Sequence, residues 1–430
     1  MTHGESKTGI PAAASDAGSY KWVALGLLMA VLFLQQGARQ VFSATLPHIR
    51  SDFAGHGVTA TQMGFVMTIF TVCYGVCVPF AGLLGDFFRR KWMVVAGTLL
   101  FSLGIFVTGF ASGFAVLAVA YGALTACGQG VIGPNSTSLI GQLHKDNRAT
   151  AFSIKQMGLY AGILISSLVS GWLAGLGPGM WRRAFWIFGG VGLACVVILV
   201  LFLRDTPVET AAKTAASARP SLAEAFMAML GKPTAMLLAL AFGLHVYVDS
   251  GFKTWMPTLL SEAYGMSSAS AALNAVLWHY LGAVLGCAVG GRLSDRLSKS
   301  RIGARFETTV AGMLIAVPCI WWLGASPTVT GCCAALALFG FGRGLYDANL
   351  FASFYDVINP RYRSAATGFM LAIGFIVGSS SSTVLGFIQE HASLGAGISY
   401  LSFFYFGAAV VTLTAQLAFL KKDYEGSFGK

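Results

Sequence analysis

Two opposite charges lie one helical turn apart in a long apolar run. Arg343 and Asp347 fall within GFGRGLYDANLFASFYD at residues 340–356. Their four-residue spacing puts both side chains on one face of a helix. An arginine at the middle of a membrane costs about 2.5–3.5 kcal/mol on insertion scales, so such residues face a protein interior or a watery cavity. We predict that Arg343 binds an anionic group in competition with Asp347; the alternative is a permanent structural ion pair.

A second polar series occurs at the same spacing inside another apolar run. His245, Asp249 and Lys253 each follow the previous residue by four positions. The carboxylate of Asp249 can pair with either basic neighbour. We interpret the series as an ion-coupling or substrate-binding element, and the alternative is an ion pair that only orders the helix.

Arg39 has no acidic residue within one turn, and Gln35 and Gln36 lie close to it in the sequence. A guanidinium presents a fork of donors that suits a carboxylate or a phosphate. Arg39 is therefore the best single candidate for binding an anion. The alternative is an arginine whose head reaches the outer membrane surface.

Weaker candidates are polar side chains that stand singly in apolar runs. A histidine can relay protons near neutral pH, but a lone one is more often a hydrogen-bonded packing residue. Amides and a lysine can either contact substrate or support helix packing. Asn135 begins an Asn-Ser-Thr acceptor sequence for glycosylation, which is unusable inside a membrane span. These candidates are Gln129, Asn135, Lys155, Gln156, Trp278 and His279.

The composition shows what must position these residues. Of 430 residues, 56% are hydrophobic and only 10% are charged, against about 25% charged in soluble domains. We therefore predict an all-α integral membrane protein in the lipid bilayer. Apolar runs of sufficient length give twelve spans. Their limits are 21–46, 60–85, 91–111, 113–143, 147–175, 182–203, 234–262, 269–297, 306–326, 327–356, 362–390 and 394–420.

The distribution of basic residues predicts the orientation of the spans. Three of the 28 lysines and arginines fall in outer loops, four fall within spans, and the other 21 lie on the inner side if both termini are cytoplasmic. The net charge of +11 is then a consequence of membrane orientation, and no nucleic-acid partner is predicted. All eight cysteines lie in apolar runs, which argues against disulfides and against a metal cluster. No cofactor is predicted.

The chain divides into two halves around one long polar segment. The expected boundaries are a disordered cytoplasmic tail at 1–20, six spans at 21–203, a cytoplasmic linker at 204–233, six spans at 234–420 and a tail at 421–430. A short amphipathic surface helix is expected around Ser221–Leu230. The pairs Gly158/Gly162 and Gly374/Gly378 are expected to let helices of the two halves approach closely.

The halves also repeat in sequence, as in transporters that place a site between two halves. GLLGDFFRRK (82–91) corresponds to GRLSDRLSKSR (291–301), with Asp86 and Asp295 at an offset of 209. DNRATAFS (146–153) corresponds to RYRSAATG (361–368).

These features resemble the major facilitator superfamily. The motif G-x-x-x-D-x-x-x-R-[RK] is matched by Gly82, Asp86, Arg90 and Lys91. The stretches 128–143 and 148–158 are similar to spans four and five of bacterial organic-anion symporters, and residues 343–357 to tenth spans of sugar and organic-acid carriers. The resemblance implies two pseudo-symmetric six-helix bundles that work by alternating access.

Further expectations follow from the resemblance. Spans one, four, seven and ten would line a central cavity, and Asp86, Arg90 and Asp295 would be gate elements. The superfamily commonly has an arginine early in span four, where this chain has Tyr121 or Leu124.

Four intramembrane cations outnumber two mid-span acids, which favours an anionic substrate. We predict a monomeric symporter of a bacterial inner membrane that couples a proton or sodium ion to a small organic anion such as a sugar acid. An exporter or flippase of an amphiphile is the alternative, and a non-transporting receptor or scaffold a lesser one. The sequence has no HExxH, G-x-S-x-G or phosphate-loop motif, so no enzyme is predicted. The predicted substrate-binding residues are Gln36, Arg39, Asn135, Lys155, Gln156, Lys253, Trp278 and Arg343, and the ion-coupling residues are His245, Asp249, His279 and Asp347.

Overall fold

A computed structural model of the chain describes residues 12–144, 147–204 and 222–424. Within these ranges the backbone is helical apart from turns and short connections, and it contains no strand. Twelve of the described helices are long and apolar enough to cross a membrane. The predicted all-α fold with twelve spans is therefore confirmed.

The first six spans form the N-terminal half. Thr59 begins the second span with a capping box, because its hydroxyl accepts a hydrogen bond from the Gln62 N–H and the Gln62 side chain accepts one from the Thr59 N–H. The fourth span contains a π-helical stretch at Leu117–Thr125. The spans are α1 (Ala12–Phe53), α2 (Ala60–Phe87), α3 (Arg90–Thr108), α4 (Phe114–Leu143), α5 (Arg148–Ala174) and α6 (Trp181–Phe202).

The last six spans form the C-terminal half, and a linker helix at Leu222–Leu230 precedes them. Pro233 stands at the first turn of the seventh span, where its fixed φ suits a helix. The eleventh span is interrupted at residues 379–380 and has two segments. The spans are α7 (Pro233–Tyr264), α8 (Ser268–Leu297), α9 (Ala304–Ala325), α10 (Val329–Val357), α11a (Arg363–Gly378), α11b (Ser381–His391) and α12 (Leu394–Asp423).

The α1 helix departs most from its predicted limits. It continues past residue 46 to Phe53 and begins at Ala12, so residues 12–20 are helical although they were expected in a disordered tail. Alanine has the highest helix propensity, and extending an existing helix costs far less than nucleating one. Residues 1–11, most of the predicted linker and the final residues 425–430 lie outside the described ranges.

The two predicted glycine pairs pack helices within each half. A Cβ on Gly162 would lie within 2.9 Å of backbone atoms of Phe33 on α1, and one on Gly378 would lie 2.7 Å from the backbone nitrogen of Tyr247 on α7. The expectation that these glycines join the two halves is wrong. Small residues at this spacing indicate a close helix contact without identifying the partner helix.

The described residues of the two halves are hydrogen-bonded to each other towards one side of the molecule. We call the face where α1 begins and α12 ends the proximal face, and the opposite face the distal face. Six hydrogen bonds between described residues of the two halves lie towards the distal face. They are His48–Ser268, Arg50–Glu262, Thr61–Glu390, Thr68–Ser379, Thr68–Thr383 and Ser167–Ala272.

Small residues allow this distal contact to be close. A Cβ on Gly64 of α2 would collide with the backbone of Ser382 on α11b, and one on Gly171 of α5 would lie 2.9 Å from the Cβ of Ala272 on α8. The helix pairs α2–α11b and α5–α8 therefore close the distal side. A cavity of about 890 Å³, lined in part by Glu262, opens beside these contacts.

Candidate functional site

Helices α7 and α10 bring four charged side chains together in the C-terminal half. Lys253 donates a hydrogen bond to Asp249 at 2.9 Å, and Nε of Arg343 donates to Asp347 at 3.1 Å. Nη1 of Arg343 also donates to the second carboxylate oxygen of Asp249. The Arg343–Asp347 pair indicated by spacing is formed, and of the two basic neighbours open to Asp249 it is Lys253 that pairs with it. The arginine lies between two carboxylates on different helices. We call these four residues the charge cluster.

Two histidines flank the charge cluster. Nε2 of His279 lies 3.0 Å from Nη1 of Arg343. Nδ1 of His245 lies 3.2 Å from the Tyr405 hydroxyl, and its Nε2 lies 3.9 Å from a carboxylate oxygen of Asp347. His245 thus turns towards α10 and α12. Asp249, one helical turn later, pairs with Lys253 instead of with His245. Both imidazoles are buried.

Arg39 occupies a comparable place in the N-terminal half. Its Nε donates to the side-chain oxygen of Gln129 at 2.8 Å. Its guanidinium carbon lies 4.3 Å from the ring centroid of Tyr74 and 5.2 Å from that of Phe70. The buried Nη2 has no hydrogen-bond partner, and no carboxylate lies within 4 Å, among the described residues. The charge of Arg39 is therefore fixed in place without neutralisation by a described side chain.

The glutamine that holds Arg39 is itself held by α1. Gln35 donates to the backbone oxygen of Gln129 at 2.9 Å, and the Gln129 amide donates back to the backbone oxygen of Gln35 at 3.0 Å. The Tyr121 hydroxyl, in the π-helical stretch of α4, lies 3.5 Å from the backbone oxygen of Arg39. The wider winding at this point is the kind that accompanies functional sites.

Arg39 and the charge cluster lie at one depth. Arg39 is 14 residues from the distal end of α1, Asp249 is 15 from that of α7, and Arg343 is 14 from that of α10. At 1.5 Å per residue these separations are about 21–23 Å. Among the described residues, Arg39 is thus an uncompensated cation in one half, whereas the charge cluster of the other half balances two cations with two anions.

Other predicted substrate-binding residues lie outside these two groups. Asn135 donates to backbone oxygens of α4 and α2, at Val131 and Ala81. Trp278 donates to Asn274 one turn earlier on α8 and is 38% exposed.

The remaining predicted residues of the N-terminal half are half-buried or exposed. Lys155 is half-buried and donates to the Thr137 hydroxyl of α4 at 2.5 Å. Gln156 is exposed beside it, and Gln36 is half-buried on α1. Lys155 lies seven residues, about 10 Å, from the proximal end of α5.

The predicted gate residues stand at the proximal ends of the helices. The side chain of Asp86 lies outside the described part of the structure, and Arg90 is half-buried at the start of α3. Asp295 is 75% exposed and lies 3.8 Å from Arg305. Nη1 of Arg305 donates to both carboxylate oxygens of Asp356, at 2.7 and 2.8 Å. The α9–α10 pair Arg305–Asp356 was not anticipated from the sequence.

Two tyrosines that sequence reasoning missed lie against the cations. Tyr74 lies under Arg39, and the ring of Tyr280 lies 5.7 Å from Nζ of Lys253. A single tyrosine in an apolar span is typical of helix packing, so the pattern alone gives no signal. For Tyr280, the one indication in the sequence was its position directly after His279, a residue that is predicted to take part in the site.

Comparison with known families decides the classification. The sequence profile of the Major Facilitator Superfamily matches residues 28–383. The chain belongs to the Major Facilitator Superfamily. It is thus an integral membrane protein of a transporter family, and the resemblance drawn from the 82–91 motif and the six-plus-six arrangement is confirmed.

Individual superfamily members are similar to the chain along nearly its whole length. The hexuronate transporter of Bacillus subtilis is 25% identical over 396 residues, covering 89% of this chain and 90% of the relative. The 3-(3-hydroxy-phenyl)propionate transporter of Escherichia coli is 25% identical over 391 residues, covering 89% and 90%. A bacterial homolog of the human lysosomal transporter Spinster, solved in an inward-facing and occupied conformation, has a TM-score of 0.79 at 19% identity, covering 95% of this chain and 99% of that one. This last likeness concerns the fold alone.

Proposed function

We propose that this superfamily member is an ion-coupled symporter of a small organic anion such as a sugar acid. The observation that carries the proposal is Arg39, a mid-depth guanidinium that has no carboxylate within 4 Å among the described residues. A buried charge that lacks a counter-ion is costly. A carboxylate of the substrate supplies that counter-ion and binds the guanidinium through charge-assisted hydrogen bonds.

The local geometry favours a carboxylate over a diffuse negative charge. Gln129 holds Nε of Arg39 and the ring of Tyr74 covers one face of the guanidinium. The edge that carries Nη2 is buried and lacks a hydrogen-bond partner among the described residues. Arginine binds carboxylates in the plane of the fork, so a planar carboxylate at this edge is the ligand that suits the site. We propose that Gln36, Lys155 and Gln156 offer further polar contacts to hydroxyl groups of a substrate.

The charge cluster is the proposed coupling element. Protonation of Asp249 or Asp347, or binding of a sodium ion by their carboxylates, weakens the hold of these acids on Arg343. The freed guanidinium then binds the substrate from the C-terminal half. His245 and His279 adjoin the cluster and are proposed to assist proton movement. Substrate and coupling ion therefore stabilise the same arrangement, as symport requires.

The names of relatives agree with this substrate class. The relatives named above are transporters of hexuronate and of 3-(3-hydroxy-phenyl)propionate, and both compounds carry a carboxylate. We further propose that the proximal face is cytoplasmic and that the segment around the linker helix joins two rocking halves. Asp86, Arg90 and Asp295 are proposed to take part in a gate at the proximal face. The monomer is the proposed transporting unit.

The proposal is tested by uptake into proteoliposomes. Purified protein is reconstituted and supplied with labelled D-glucuronate, other carboxylates and a lysolipid, with an imposed proton or sodium gradient. Arg39→Ala should raise KM about 10–100-fold, because charged hydrogen bonds contribute about 1.5–3 kcal/mol. Arg39→Lys keeps the charge without the fork and should give an intermediate KM. Arg183→Ala, an exposed arginine of α6, is the matched control and should transport normally.

Two results contradict the proposed substrate class and its binding by Arg39. One is uptake of an organic anion by Arg39→Ala at the rate and KM of the unaltered protein. The other is movement of the lysolipid without movement of any carboxylate. Uptake of a carboxylate that ignores both imposed gradients would refute ion coupling and leave a uniporter.

A further inference from the structure

Three side chains contact one another in a row at one side of the site. They are a cation and a tyrosine of the N-terminal half and an aromatic ring of the C-terminal half. The Arg39 guanidinium lies 4.3 Å from the ring centroid of Tyr74. Tyr74 meets Phe375 of α11a edge to face, with ring centroids 5.1 Å apart and planes at 86°. A Cβ on Gly75 would lie 2.6 Å from the Cβ of Phe375, so that ring packs directly on α2. We call Arg39, Tyr74 and Phe375 the N-terminal triad.

A matching set lies on the other side. The Lys253 ammonium lies 5.7 Å from the ring centroid of Tyr280. Tyr280 contacts Tyr160 of α5, with centroids 5.8 Å apart and planes at 54°. We call Lys253, Tyr280 and Tyr160 the C-terminal triad. In each triad the cation and tyrosine belong to one half and the final ring to the other.

The two triads are related by the internal repeat. The N-terminal triad uses α1, α2 and α11, and the C-terminal triad uses α7, α8 and α5, which are the equivalent helices when the halves are exchanged. The offset of 215 between residues 146–153 and 361–368 places Tyr160 opposite Phe375. The final rings lie on the helix pairs α2–α11 and α5–α8, which also hold the distal side together.

We infer that Tyr74 and Tyr280 are positioning residues that couple the occupancy of the two cations to the contact between the halves. The inference rests on the proposed function for its ligand, an organic anion. A cation is attracted to the face of an aromatic ring, and edge-to-face ring pairs are sensitive to geometry. An anion that draws Arg39 or Lys253 off its tyrosine changes how that ring meets the opposite half. Occupancy of the cations therefore loosens the helix pairs that close the distal side.

The first test needs no ligand. Nitroxide labels are attached through p-acetylphenylalanine at Ala54 and Ala392, which are exposed on the distal face of different halves, and pulsed electron spin resonance gives their distance distribution. Lys253→Met and Tyr280→Leu should each increase the distal-open population, and the double variant should do no more than the larger single change, because both act on one contact. Tyr280→Phe keeps the ring and should behave as the unaltered protein.

The matched control is Phe110→Leu, which removes a ring that contacts Trp186 within the N-terminal half and should leave the distal distance unchanged. Additive effects of Lys253→Met and Tyr280→Leu would overturn the inference. An equal effect of Tyr280→Phe and Tyr280→Leu would also overturn it, since the ring would then be irrelevant.

The second test adds D-glucuronate and separates coupling from binding. At saturating anion, Tyr74→Leu should lose about tenfold in transport turnover, a typical coupling factor, and Tyr74→Phe should restore turnover. A loss of affinity with unchanged turnover would refute coupling through this ring. One outcome separates the two proposals. If the unaltered protein transports neither D-glucuronate nor any other anion, but the effects of Lys253→Met and Tyr280→Leu on the distal distance are non-additive, the proposed function fails and the role of the triads stands. If the unaltered protein transports anions but the effects of those two variants are additive, the role of the triads fails and the proposed function stands.

Discussion

Replacing Asp249 by asparagine is the sharpest perturbation of the charge cluster. The carboxylate of Asp249 accepts hydrogen bonds from both Lys253 and Arg343. The asparagine variant leaves two cations and one carboxylate, Asp347, where four charges balanced. We expect a marked loss of stability, because a mid-depth charge without a counter-ion is unfavourable.

The size of the loss follows from the geometry. Removing one partner of a fully buried ion pair costs about 3–5 kcal/mol. The cluster is less severe, since Arg343 keeps Asp347 at 3.1 Å and the side chains of Asp249 and Lys253 are 22% and 25% exposed. We therefore expect Asp249→Asn to lower the free energy of unfolding by about 2–3 kcal/mol. At about 2–4 °C per kcal/mol for a unit of one half, Tm falls by about 4–12 °C.

The assay is thermal unfolding of the purified protein in detergent. The double variant Asp249→Asn/Lys253→Gln removes one charge of each sign, so it should recover about half of the loss. Asp295→Asn is the matched control, because that aspartate is 75% exposed and its replacement should change stability by no more than about 0.5 kcal/mol. A Tm of Asp249→Asn equal to that of the unaltered protein would refute this reasoning. So would a double variant as unstable as the sum of the two single variants.

Three further outcomes are expected. Asp347→Asn should bind D-glucuronate about tenfold more tightly, the effect of about 1.4 kcal/mol of removed repulsion, as measured by calorimetry; unchanged affinity would separate that aspartate from the substrate. Gly64→Val should prevent distal closure and reduce uptake at least about tenfold, whereas Gly190→Val, which has open space around it, should transport normally; equal uptake by both variants would contradict the role of close packing at this face. Glu390→Ala removes the carboxylate that accepts a hydrogen bond from the Thr61 N–H across the two halves, and it should favour the distal-open state by about 0.5–2 kcal/mol. The rate of labelling at the distal face measures this state, and a rate slower than that of the unaltered protein would contradict the prediction.

Local spacing predicted the contacts within one helix. The lengths of the apolar runs located all twelve spans. Four-residue separations predicted that Arg343 would meet Asp347 and that Asp249 would meet either His245 or Lys253, and the structure forms the pair with Lys253. Both follow from the helical repeat, which a sequence displays directly.

Contacts between helices could not be obtained in this way. Nothing in the sequence indicates that Arg343 also bonds Asp249, 94 residues away, or that His245 turns to Tyr405. The glycine pairs indicated close helix contacts but gave the wrong partners, because small residues permit an approach and the packing of the whole half selects the neighbour. Tyr74 carried no signal, since a tyrosine in an apolar span acquires meaning only beside Arg39.

The interruption of the eleventh span gives the two sides of the distal contact different mechanics. On one side α5 is a continuous helix, whereas on the other α11b is a separate segment of 11 residues, about 16 Å long. A bend of about 20° at residues 379–380, typical of a sharp helix kink, would swing the Glu390 end by about 5–6 Å while α11a stays against α7. The two flanks of the distal contact therefore differ: a short segment that can bend at its interruption forms one flank, and a continuous helix forms the other.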